Sequence, residues 1–381
     1  MKTSLYVHFP FCVRKCLYCD FNSLAGSRVG PEEYVAALLK EMDLRRQLCS
    51  GEPEAETLYI GGGTPSLLNP RLVSLIIEMA ARLFALDPAA EITLEANPGT
   101  ISREKLAGYR SAGINRLSLG VQSFSDPLLV RLGRVHDARE ALAAFAAARE
   151  SGFADIGIDL IHSLPGQDPE MWHADLERAV MLQPEHISAY ALSVEEGTPF
   201  HLMERRGELA LPCEENAARM FEMTDHVLRE CGYEHYEISN FSLPGRRSRH
   251  NMNYWRRGSY LGFGAGAHSF QAVPPFGRRW KNRENPEHYL GALAEGIIPE
   301  EDMSSVTERE AMGETLFLGL RMLDGIDTER FRLDFGLTPG EAYPAEMPAL
   351  LANGLLEEDK GRLRLSRHGV ILANQVFVKF V

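Results

Sequence analysis

The first half of the chain alternates between short apolar runs typical of strands and longer segments in which apolar residues recur at helical spacing. Strands are predicted at Leu5–Phe9, Thr57–Ile60, Ile92–Glu95, Arg116–Gly120, Ile156–Ile161 and Ile187–Leu192. Helices are predicted between and after them at Pro31–Leu48, Pro70–Phe84, Ser102–Ala112, Asp137–Ser151, Glu170–Leu182 and Glu214–Cys231. Six consecutive strand–helix units predict an α/β fold with a mostly parallel sheet. Six units are too few for a closed (β/α)8 barrel, which needs eight, so the alternatives are an open partial barrel and a doubly wound sheet.

The alternation stops after about Tyr233. Residues 241–283 are rich in Gly and aromatic side chains, and we expect an irregular segment that lies across the barrel. Helical spacing returns from Thr307, and a hairpin-like pattern spans residues 354–365. Helices followed by a small β wing predict a helical, winged-helix-like C-terminal domain. The expected division is 1–235 for the partial barrel, 236–300 for a connecting segment and 301–381 for the C-terminal domain.

Composition narrows the class of protein. The 381 residues are 45% hydrophobic and 24% charged, which argues against a disordered chain or a disulfide-stapled mini-protein. A formal net charge of −13 disfavours attraction of the whole surface to nucleic acid or to an anionic membrane. No run approaches the roughly 18 apolar residues of a transmembrane helix. The N-terminal stretch, with Arg14, Lys15 and no small-residue cleavage site, indicates a mature chain in a reducing cytoplasm.

Three of the six cysteines cluster directly after the first predicted strand, with the spacing Cys12-x-x-x-Cys16-x-x-Cys19. Three thiolates on one tight loop can hold three irons of a [4Fe–4S] cluster and leave the fourth iron open to another molecule. A zinc site is one alternative, but it requires a fourth Cys or His at regular spacing. A set of inert thiols is the other alternative. The spacing favours the cluster over both.

This loop resembles the cysteine loop of the radical S-adenosylmethionine enzymes. Further stretches resemble the oxygen-independent coproporphyrinogen III oxidase group: Tyr6-Val-His-Phe-Pro-Phe-Cys12, Gly61-Gly-Gly-Thr-Pro65, Gly120-Val-Gln122-Ser-Phe, Asp159-Leu-Ile and Leu164-Pro-Gly. The resemblance covers nearly the whole chain and implies a TIM-like partial (β/α)6 barrel. It also implies that the cluster binds S-adenosylmethionine at its free iron and passes one electron to the sulfonium, which yields methionine and a 5′-deoxyadenosyl radical.

Polar residues at strand ends are candidates for the cofactor site. Glu95, Gln122 and Asp159 each fall at the end of a predicted strand, so a partial barrel would bring them together on its open face. Helix capping, ion pairing and backbone hydrogen bonding are the structural alternatives. The Gly run after the second strand lets the backbone approach a ligand closely, and no Gly-Lys-Ser/Thr of a phosphate loop follows it. By resemblance, the S-adenosylmethionine residues are Glu95, Gln122, Arg134 and Asp159, with Tyr6, Tyr18, Gly62, Gly63 and Thr64 nearby.

One position departs from the coproporphyrinogen oxidases. The cysteine loop of those oxidases has the spacing CxxxCxxCxC, and this chain has Phe21 at the position of their fourth cysteine. The departure puts oxidative decarboxylation of coproporphyrinogen in doubt, although it stays the alternative function. It points instead to the sister group, the HemW-type heme chaperones, which bind the same cluster and cofactor and deliver heme to heme proteins.

Charge is distributed unevenly along this acidic chain. Residues 241–283 hold no Asp or Glu and carry +9, which leaves −22 on the rest. Eight aromatic residues lie in the same stretch, including Trp255 and Trp280. Cations can bind carboxylates, and flat rings can stack on a planar ligand, so the stretch suits a tetrapyrrole with two propionates. A solvated basic face and a single-stranded RNA site are the alternatives.

Within this stretch His250-Asn251-Met252-Asn253-Tyr254-Trp255 resembles the HNxxYW motif of the heme chaperones, which makes His250 the expected heme ligand. His268 is expected to be structural. The resemblance implies heme or a porphyrin as ligand and heme-accepting proteins, such as respiratory enzymes, as partners. Nucleic acid is not expected, and peripheral membrane contact and the oligomeric state stay open.

Overall fold

The computed structural model describes residues 2–49 and 51–381. Its strands are β1 (Lys2–Phe9), β2 (Phe11–Cys12), β3 (Leu24–Ala25), β4 (Glu54–Gly62), β5 (Glu91–Ala96), β6 (Arg116–Gln122), β7 (Ile156–His162), β8 (His186–Ala191), β9 (Glu234–Glu237), β10 (Asn240–Ser242), β11 (Tyr260–Phe263), β12 (His268–Gln271), β13 (Arg278–Asn282), β14 (Glu300–Ser305), β15 (Ile326–Asp327), β16 (Leu356–Asp359) and β17 (Arg362–Leu365). All six predicted strands are present, as β1 and β4–β8.

The helices are α1 (Pro31–Leu48), α2 (Pro70–Phe84), α3 (Arg103–Ala112), α4 (Asp126–Leu132), α5 (Ala138–Glu150), α6 (Pro169–Met181), α7 (Pro199–Arg205), α8 (Glu214–Glu230), α9 (Arg249–Trp255), α10 (Pro286–Ala294), α11 (Glu308–Gly319), α12 (Thr328–Phe335), α13 (Pro339–Ala342), α14 (Glu346–Ala352), α15 (Arg367–Ile371) and α16 (Ala373–Phe377). Local signals set many of their starts. Pro31 and Pro70 open α1 and α2, and the Asp137 side chain caps α5 in a capping box with Glu140.

A twelve-stranded sheet organises the chain, in the order β14-β13-β12-β11-β1-β4-β5-β6-β7-β8-β10-β9. Strands β11, β1 and β4–β8 run parallel to their neighbours, and the strands at both edges are antiparallel. Side chains from β4, β5, β6, β7 and β8 line one common cavity, so the sheet curves around it. Buried side chains of the helices that follow these strands form one hydrophobic core with the sheet. The partial barrel expected from the sequence is confirmed.

The expectation for residues 241–283 is wrong. The stretch is not irregular: it contains α9 and the strands β11, β12 and β13. Strand β11 pairs in parallel with β1, with Leu5 opposite Leu261, and so becomes a seventh parallel strand. The short strands and many glycines concealed this pattern, and the parallel partner of β11 lies at the other end of the chain.

Residues 312–380 have a hydrophobic core of their own, around side chains such as Leu316, Phe331 and Val376. Strands β16 and β17 form the antiparallel hairpin that the sequence indicates, and β15 completes a three-stranded sheet. Helix α11 starts where the pattern predicts, with Thr307 capping it and Glu310 completing the capping box. The C-terminal region is therefore helical with a small sheet, as expected. No helix of the described residues is long and apolar enough to cross a membrane.

Candidate functional site

The cysteine loop runs from β2 to β3 and lies at the mouth of the barrel. Cys12, Cys16 and Cys19 are free thiols of intermediate exposure, and all three line a cavity of about 400 Å³ that we call the first cavity. Thr64 Oγ1 lies 3.4 Å from Cys12 Sγ, and Arg134 donates to Cys16 Sγ at 3.3 Å. Hydrogen-bond donors therefore face two of the three sulfurs.

The Gly run connects this loop to β4. The Gly63 amide donates to Phe9 O at 2.8 Å, and the Thr64 amide donates to Phe11 O at 2.9 Å. A Cβ at Gly63 would lie 2.8 Å from the backbone of Pro10 and Phe11, so a side chain there would displace the strand that carries Cys12. Gly62 has φ 114°, and a Cβ there would meet the His8 ring at 2.6 Å. The glycines are thus needed for packing against the cysteine loop.

Glu95 lies on β5 inside the first cavity. Tyr59 donates to Glu95 Oε1 at 2.7 Å, and the Gly62 amide donates to Glu95 Oε2 at 3.1 Å. Burial raises the pKa of Glu95 to about 7, and the nearby carboxylate of Asp159 adds to the effect. The carboxyl group can therefore gain or lose a proton near neutral pH, and a cationic ligand would favour its ionised form.

Gln122 and Arg134 come from the next unit of the barrel. Gln122 ends β6 at φ 69°, where the register between β6 and β7 shifts, so the chain turns its side chain into the first cavity. Arg134 follows α4, which ends at Gly133 in the left-handed region. It donates to Gly120 O at 2.7 Å as well as to Cys16, while its buried Nε has no protein acceptor. A guanidinium with a spare donor here suits a carboxylate ligand.

Asp159 lies in the middle of β7 and not at the end that the sequence predicted, because β7 continues to His162. Its side chain still faces the first cavity and accepts from Ser118 Oγ at 2.8 Å. Burial raises the pKa of Asp159, and hydrogen bonds from Ser188 and Ser118 oppose that rise. The first cavity thus brings together Glu95, Gln122, Arg134 and Asp159, with Tyr18, Gly62, Gly63 and Thr64.

Tyr6 is the exception among the expected cofactor residues. It lines a neighbouring cavity of about 710 Å³, which we call the second cavity. The Tyr6 hydroxyl donates to His8 Nδ1 at 2.9 Å, and His8 Nε2 donates to Asn22 O at 2.8 Å. The two cavities share Lys15, Asp20, Phe21, Ser23, Gly62 and Glu95.

His250 lies on α9 and is 1% exposed. Its Nδ1 is 2.7 Å from Thr57 Oγ1, its Nε2 is 2.9 Å from the Tyr254 hydroxyl, and its ring stacks on Tyr59. Burial lowers the pKa of His250 to about 3, so the ring is neutral. Both nitrogens are occupied, and ligation of heme iron by His250 stays a prediction that would require one of these bonds to break.

Family models and curated relatives match this chain. The model of the radical SAM superfamily matches residues 6–179, and that of the HemN C-terminal domain matches residues 306–372. The chain is 38% identical to the heme chaperone HemW of Bacillus subtilis (strain 168), over 99% of both chains. It is 37% identical to HemW of Escherichia coli (strain K12), over 99% of this chain and 98% of that one. The chain belongs to the HemW family.

The fold of this HemW-family chain matches a solved structure of coproporphyrinogen III oxidase (HemN) from Escherichia coli. The TM-score is 0.85 at 24% identity, and the match covers 100% of this chain and 90% of the other. The likeness confirms the α/β radical SAM fold with a C-terminal domain. A [4Fe–4S] cluster and S-adenosylmethionine are the cofactors of this superfamily.

The residues present fit those cofactors. Among residues 2–49 and 51–381 no three His, Cys, Asp or Glu side chains are arranged to hold a single metal ion. A cluster differs, because each thiolate ligates its own iron and the sulfurs stay further apart. The unpartnered Nε of Arg134 and the buried carboxyls of Glu95 and Asp159 offer matching partners for the carboxylate, ammonium and hydroxyl groups of S-adenosylmethionine.

Most of the positive charge of residues 241–283 is already neutralised in this HemW-family chain. Six of the nine cations form ion pairs with carboxylates elsewhere, namely Arg246, Arg247, Arg257, Arg279, Lys281 and Arg283. The segment is therefore not the free basic surface that the charge count indicated. Chain folding brings the carboxylates of α11 and β14 onto it, which no local pattern shows.

Sequence reasoning missed several residues that line the first cavity, including Tyr59, Arg116, His186, Ser188, Tyr190 and Asn251. The signal was present for most of them. Arg116, Ser118 and Gly120 alternate along β6, and His186, Ser188 and Tyr190 alternate along β8. Residues two apart on a strand share a face, so polar residues at this spacing within buried strands mark the inside of the barrel.

Proposed function

We propose that this protein is a heme chaperone that binds a [4Fe–4S] cluster, S-adenosylmethionine and heme, and delivers heme to acceptor proteins such as respiratory enzymes. The curated relatives named heme chaperone HemW match the chain over its full length and support this function. The structural observation that carries it is the first cavity, where three free cysteines meet four buried or half-buried polar side chains from β5, β6, β7 and the loop after α4.

In this proposal Cys12, Cys16 and Cys19 hold the cluster, and Thr64 and Arg134 stabilise the charge on its sulfurs. When bound, the cluster supplies a single electron to S-adenosylmethionine. Arg134 would donate from its unpartnered Nε to the cofactor's carboxylate, while Glu95 and Asp159 would accept from its ammonium or ribose hydroxyls. Gln122 and the backbone of Gly62 and Gly63 position it, and Tyr18 closes the wall beside Arg134.

Phe21 separates the proposed activity from coproporphyrinogen oxidation. The side chain is 61% exposed and lines both cavities, so an apolar ring occupies the place of the oxidases' further cysteine. We place the chaperone in the cytoplasm, where its free cysteines stay reduced. Peripheral contact with a membrane, where respiratory acceptors lie, belongs to the same proposal.

Anaerobic reconstitution tests the cluster. The wild-type chain should bind about four irons, as one [4Fe–4S] cluster requires, and should bind S-adenosylmethionine with a change in the cluster's EPR spectrum. Cys16→Ser should remove the cluster. Cys231→Ser is the matched control, because Cys231 is an exposed free thiol at the end of α8. Unchanged iron content in Cys16→Ser would contradict the assignment.

A transfer assay tests the chaperone function. The reconstituted chain loaded with hemin should pass it to an added apo-cytochrome, and incubation with S-adenosylmethionine, reductant and coproporphyrinogen III should yield no protoporphyrinogen IX. Formation of protoporphyrinogen IX would identify a coproporphyrinogen oxidase instead. Absence of hemin binding would contradict the chaperone proposal directly.

A further inference from the structure

Side chains from β4 and from α9 itself hold the ring of His250 in place. Thr57 and Tyr59 lie two residues apart on β4 and therefore share a face of that strand. Thr57 Oγ1 lies 2.7 Å from His250 Nδ1, and the Tyr59 ring stacks on the imidazole with the two centroids 5.0 Å apart. Tyr254 follows His250 by one helical turn, and its hydroxyl lies 2.9 Å from Nε2. Each ring nitrogen thus has one hydroxyl partner.

The two hydroxyl groups differ in how firmly they are placed. Thr57 is 2% exposed, and its strand is paired on both sides, with Ser4 of β1 and Glu91 of β5 opposite it. Tyr254 is half-buried and lies near the end of a seven-residue helix. Within the described part of the chain, the Tyr254 hydroxyl makes no hydrogen bond except the one to His250. Turning Tyr254 away therefore breaks one hydrogen bond, whereas moving Thr57 would disturb the sheet.

The backbone of His250 is anchored independently of both hydroxyls. The amides of Arg249 and His250 donate to the carboxylate of Glu91 at 2.8 Å and 3.0 Å. Glu91 begins β5, so the start of α9 is tied to the sheet. The imidazole can therefore stay in place while the Tyr254 side chain turns away.

The same partners decide which nitrogen of His250 carries the proton. Burial lowers the pKa of His250 to about 3, so the ring is neutral and has a single N–H. A phenol is more acidic than an aliphatic alcohol and is the stronger donor, and burial raises the pKa of Tyr254, so its hydroxyl keeps the proton. Tyr254 therefore donates to Nε2, and the Nδ1–H donates to Thr57.

A histidine in this state is prepared to bind a metal through Nε2. Only the nitrogen without a proton has a lone pair for iron. Metal-bound histidines commonly donate their other N–H to a fixed acceptor, which sets the tautomer and the orientation of the ring. Thr57 provides that acceptor on a rigid strand. The Nε2 lone pair meets the Tyr254 hydroxyl, whose proton lies where an iron would bind.

We propose that Thr57 and Tyr254 act in opposite directions on heme ligation by His250. Thr57 is a positioning residue, because it holds the Nδ1–H and so presents Nε2 to the iron. Tyr254 blocks Nε2 until heme displaces its hydroxyl. This inference rests on the proposed heme-chaperone function and deepens it. Removing the Thr57 hydroxyl should weaken heme binding, and removing the Tyr254 hydroxyl should strengthen it.

NMR of the heme-free chain with ¹⁵N-labelled histidine tests the tautomer without heme. The signal that is lost in His250→Gln identifies His250. At pH 7 this signal should show a protonated Nδ1 and an unprotonated Nε2 in wild type and in Tyr254→Phe. In Thr57→Val the protonated fraction of Nε2 should rise, because Nδ1–H has lost its acceptor. A protonated Nε2 in wild type overturns the proposal whether or not heme binds.

Hemin titration tests the effect of Thr57. Thr57→Val keeps the shape of the side chain and removes the acceptor, and we expect about tenfold weaker binding, as is typical when a metal-bound histidine loses such a partner. Thr57→Ser should restore wild-type affinity, because serine keeps the hydroxyl. Thr93→Val is the matched control, since Thr93 is a buried threonine of the neighbouring strand β5 whose hydroxyl has no hydrogen-bond partner among residues 2–49 and 51–381.

The same titration tests Tyr254. Tyr254→Phe keeps the ring and removes only the competing hydroxyl, so hemin should bind roughly three- to tenfold more tightly, as one lost hydrogen bond predicts. Its Soret band should match that of wild type. Tyr233→Phe is the matched control and should bind hemin like wild type, because it loses a buried hydroxyl that donates to Pro184 O. In resonance Raman spectra of the ferrous heme complex, the iron–histidine stretch should shift to lower frequency in Thr57→Val only, because the ligand becomes less basic.

Unchanged affinity and an unchanged iron–histidine stretch in Thr57→Val overturn the positioning role. Equal or weaker hemin binding by Tyr254→Phe overturns the blocking role, and so does an altered Soret band, which would identify Tyr254 as a ligand. These outcomes leave heme binding by wild type, and with it the chaperone function, standing. Absence of hemin binding by the wild-type chain overturns both proposals.

Discussion

Glu95 shows how a single residue responds to the cavity that surrounds it. The carboxyl is half-buried at the cavity wall, and two donors, from Tyr59 and Gly62, do not offset the cost of burying its charge. Its pKa of about 7 in the folded chain exceeds the value of about 4.5 when unfolded. Without ligand, the folded chain therefore binds more protons than the unfolded chain between these two values. The contribution of Glu95 to stability is present below pH 4.5 and is lost as the pH rises through 7.

The raised pKa of Glu95 predicts how the stability of the cofactor-free chain depends on pH. Between pH 5 and pH 8 the free energy of unfolding of wild type should fall relative to Glu95→Gln by about 2–3 kcal/mol, because glutamine stays neutral. Urea unfolding of both proteins at the two pH values measures the difference. A constant difference across this range would show that Glu95 titrates normally.

A cationic ligand such as S-adenosylmethionine should bind more tightly at pH 8 than at pH 6, and Glu95→Gln should abolish that dependence.

At the scale of elements, the Gly run and the cysteine loop act as one unit. A Cβ added to Gly63 would lie 2.8 Å from backbone atoms of Pro10 and Phe11. Because these are backbone atoms and not flexible side chains, they cannot move aside locally. Gly63→Ala should move β2, which carries Cys12, and should reduce the iron bound on reconstitution by at least half. Overpacking of this kind typically costs about 1–3 kcal/mol of stability as well.

Gly291→Ala is the matched control for this change. Gly291 lies in α10 with nothing within 4 Å of an added Cβ, and alanine is favoured over glycine inside a helix. The control should keep full iron content and equal or higher stability. Iron content equal to wild type in Gly63→Ala would show that the loop adapts without loss of the site.

Elements were predictable where their signals are local. The bounds of α1 and α2 agree with the prediction to the residue, since Pro at the first helical position fixes each start. Helices α4 and α7, of seven residues each, are too short to show a helical repeat and were missed. Strand β11 was missed because its parallel partner β1 is distant in sequence, and β12 and β13 were missed because they are only four and five residues long. Ion pairing of the basic stretch could not be foreseen, because most of the carboxylates come from other parts of the chain. The three cysteines were singled out by their spacing alone, and their role as cluster ligands stays a prediction.

At the scale of the whole molecule, one carboxylate joins the C-terminal region to the sheet. Glu314 of α11 pairs with Arg257, whose Nε lies 2.8 Å away, and with Arg279 of β13. Glu314 and Arg257 are only 14% and 15% exposed, and Arg257 also stacks over Phe270 of β12 at 4.8 Å. The pairing holds α11 against β12 and β13, on the antiparallel side of the sheet.

Removing this carboxylate should therefore loosen both regions together. Glu314→Gln leaves the largely buried guanidinium of Arg257 and the 44%-exposed guanidinium of Arg279 without their shared anion. We expect a loss of about 2–3 kcal/mol in the free energy of unfolding, mainly from Arg257. Glu329→Gln, which affects only an exposed pair with Arg332 on α12, should unfold like wild type. Urea unfolding followed by tryptophan fluorescence suits the comparison, because Trp280 lies on β13 beside the joint. Equal stability of the two variants would show that apolar packing alone joins the C-terminal region to the barrel.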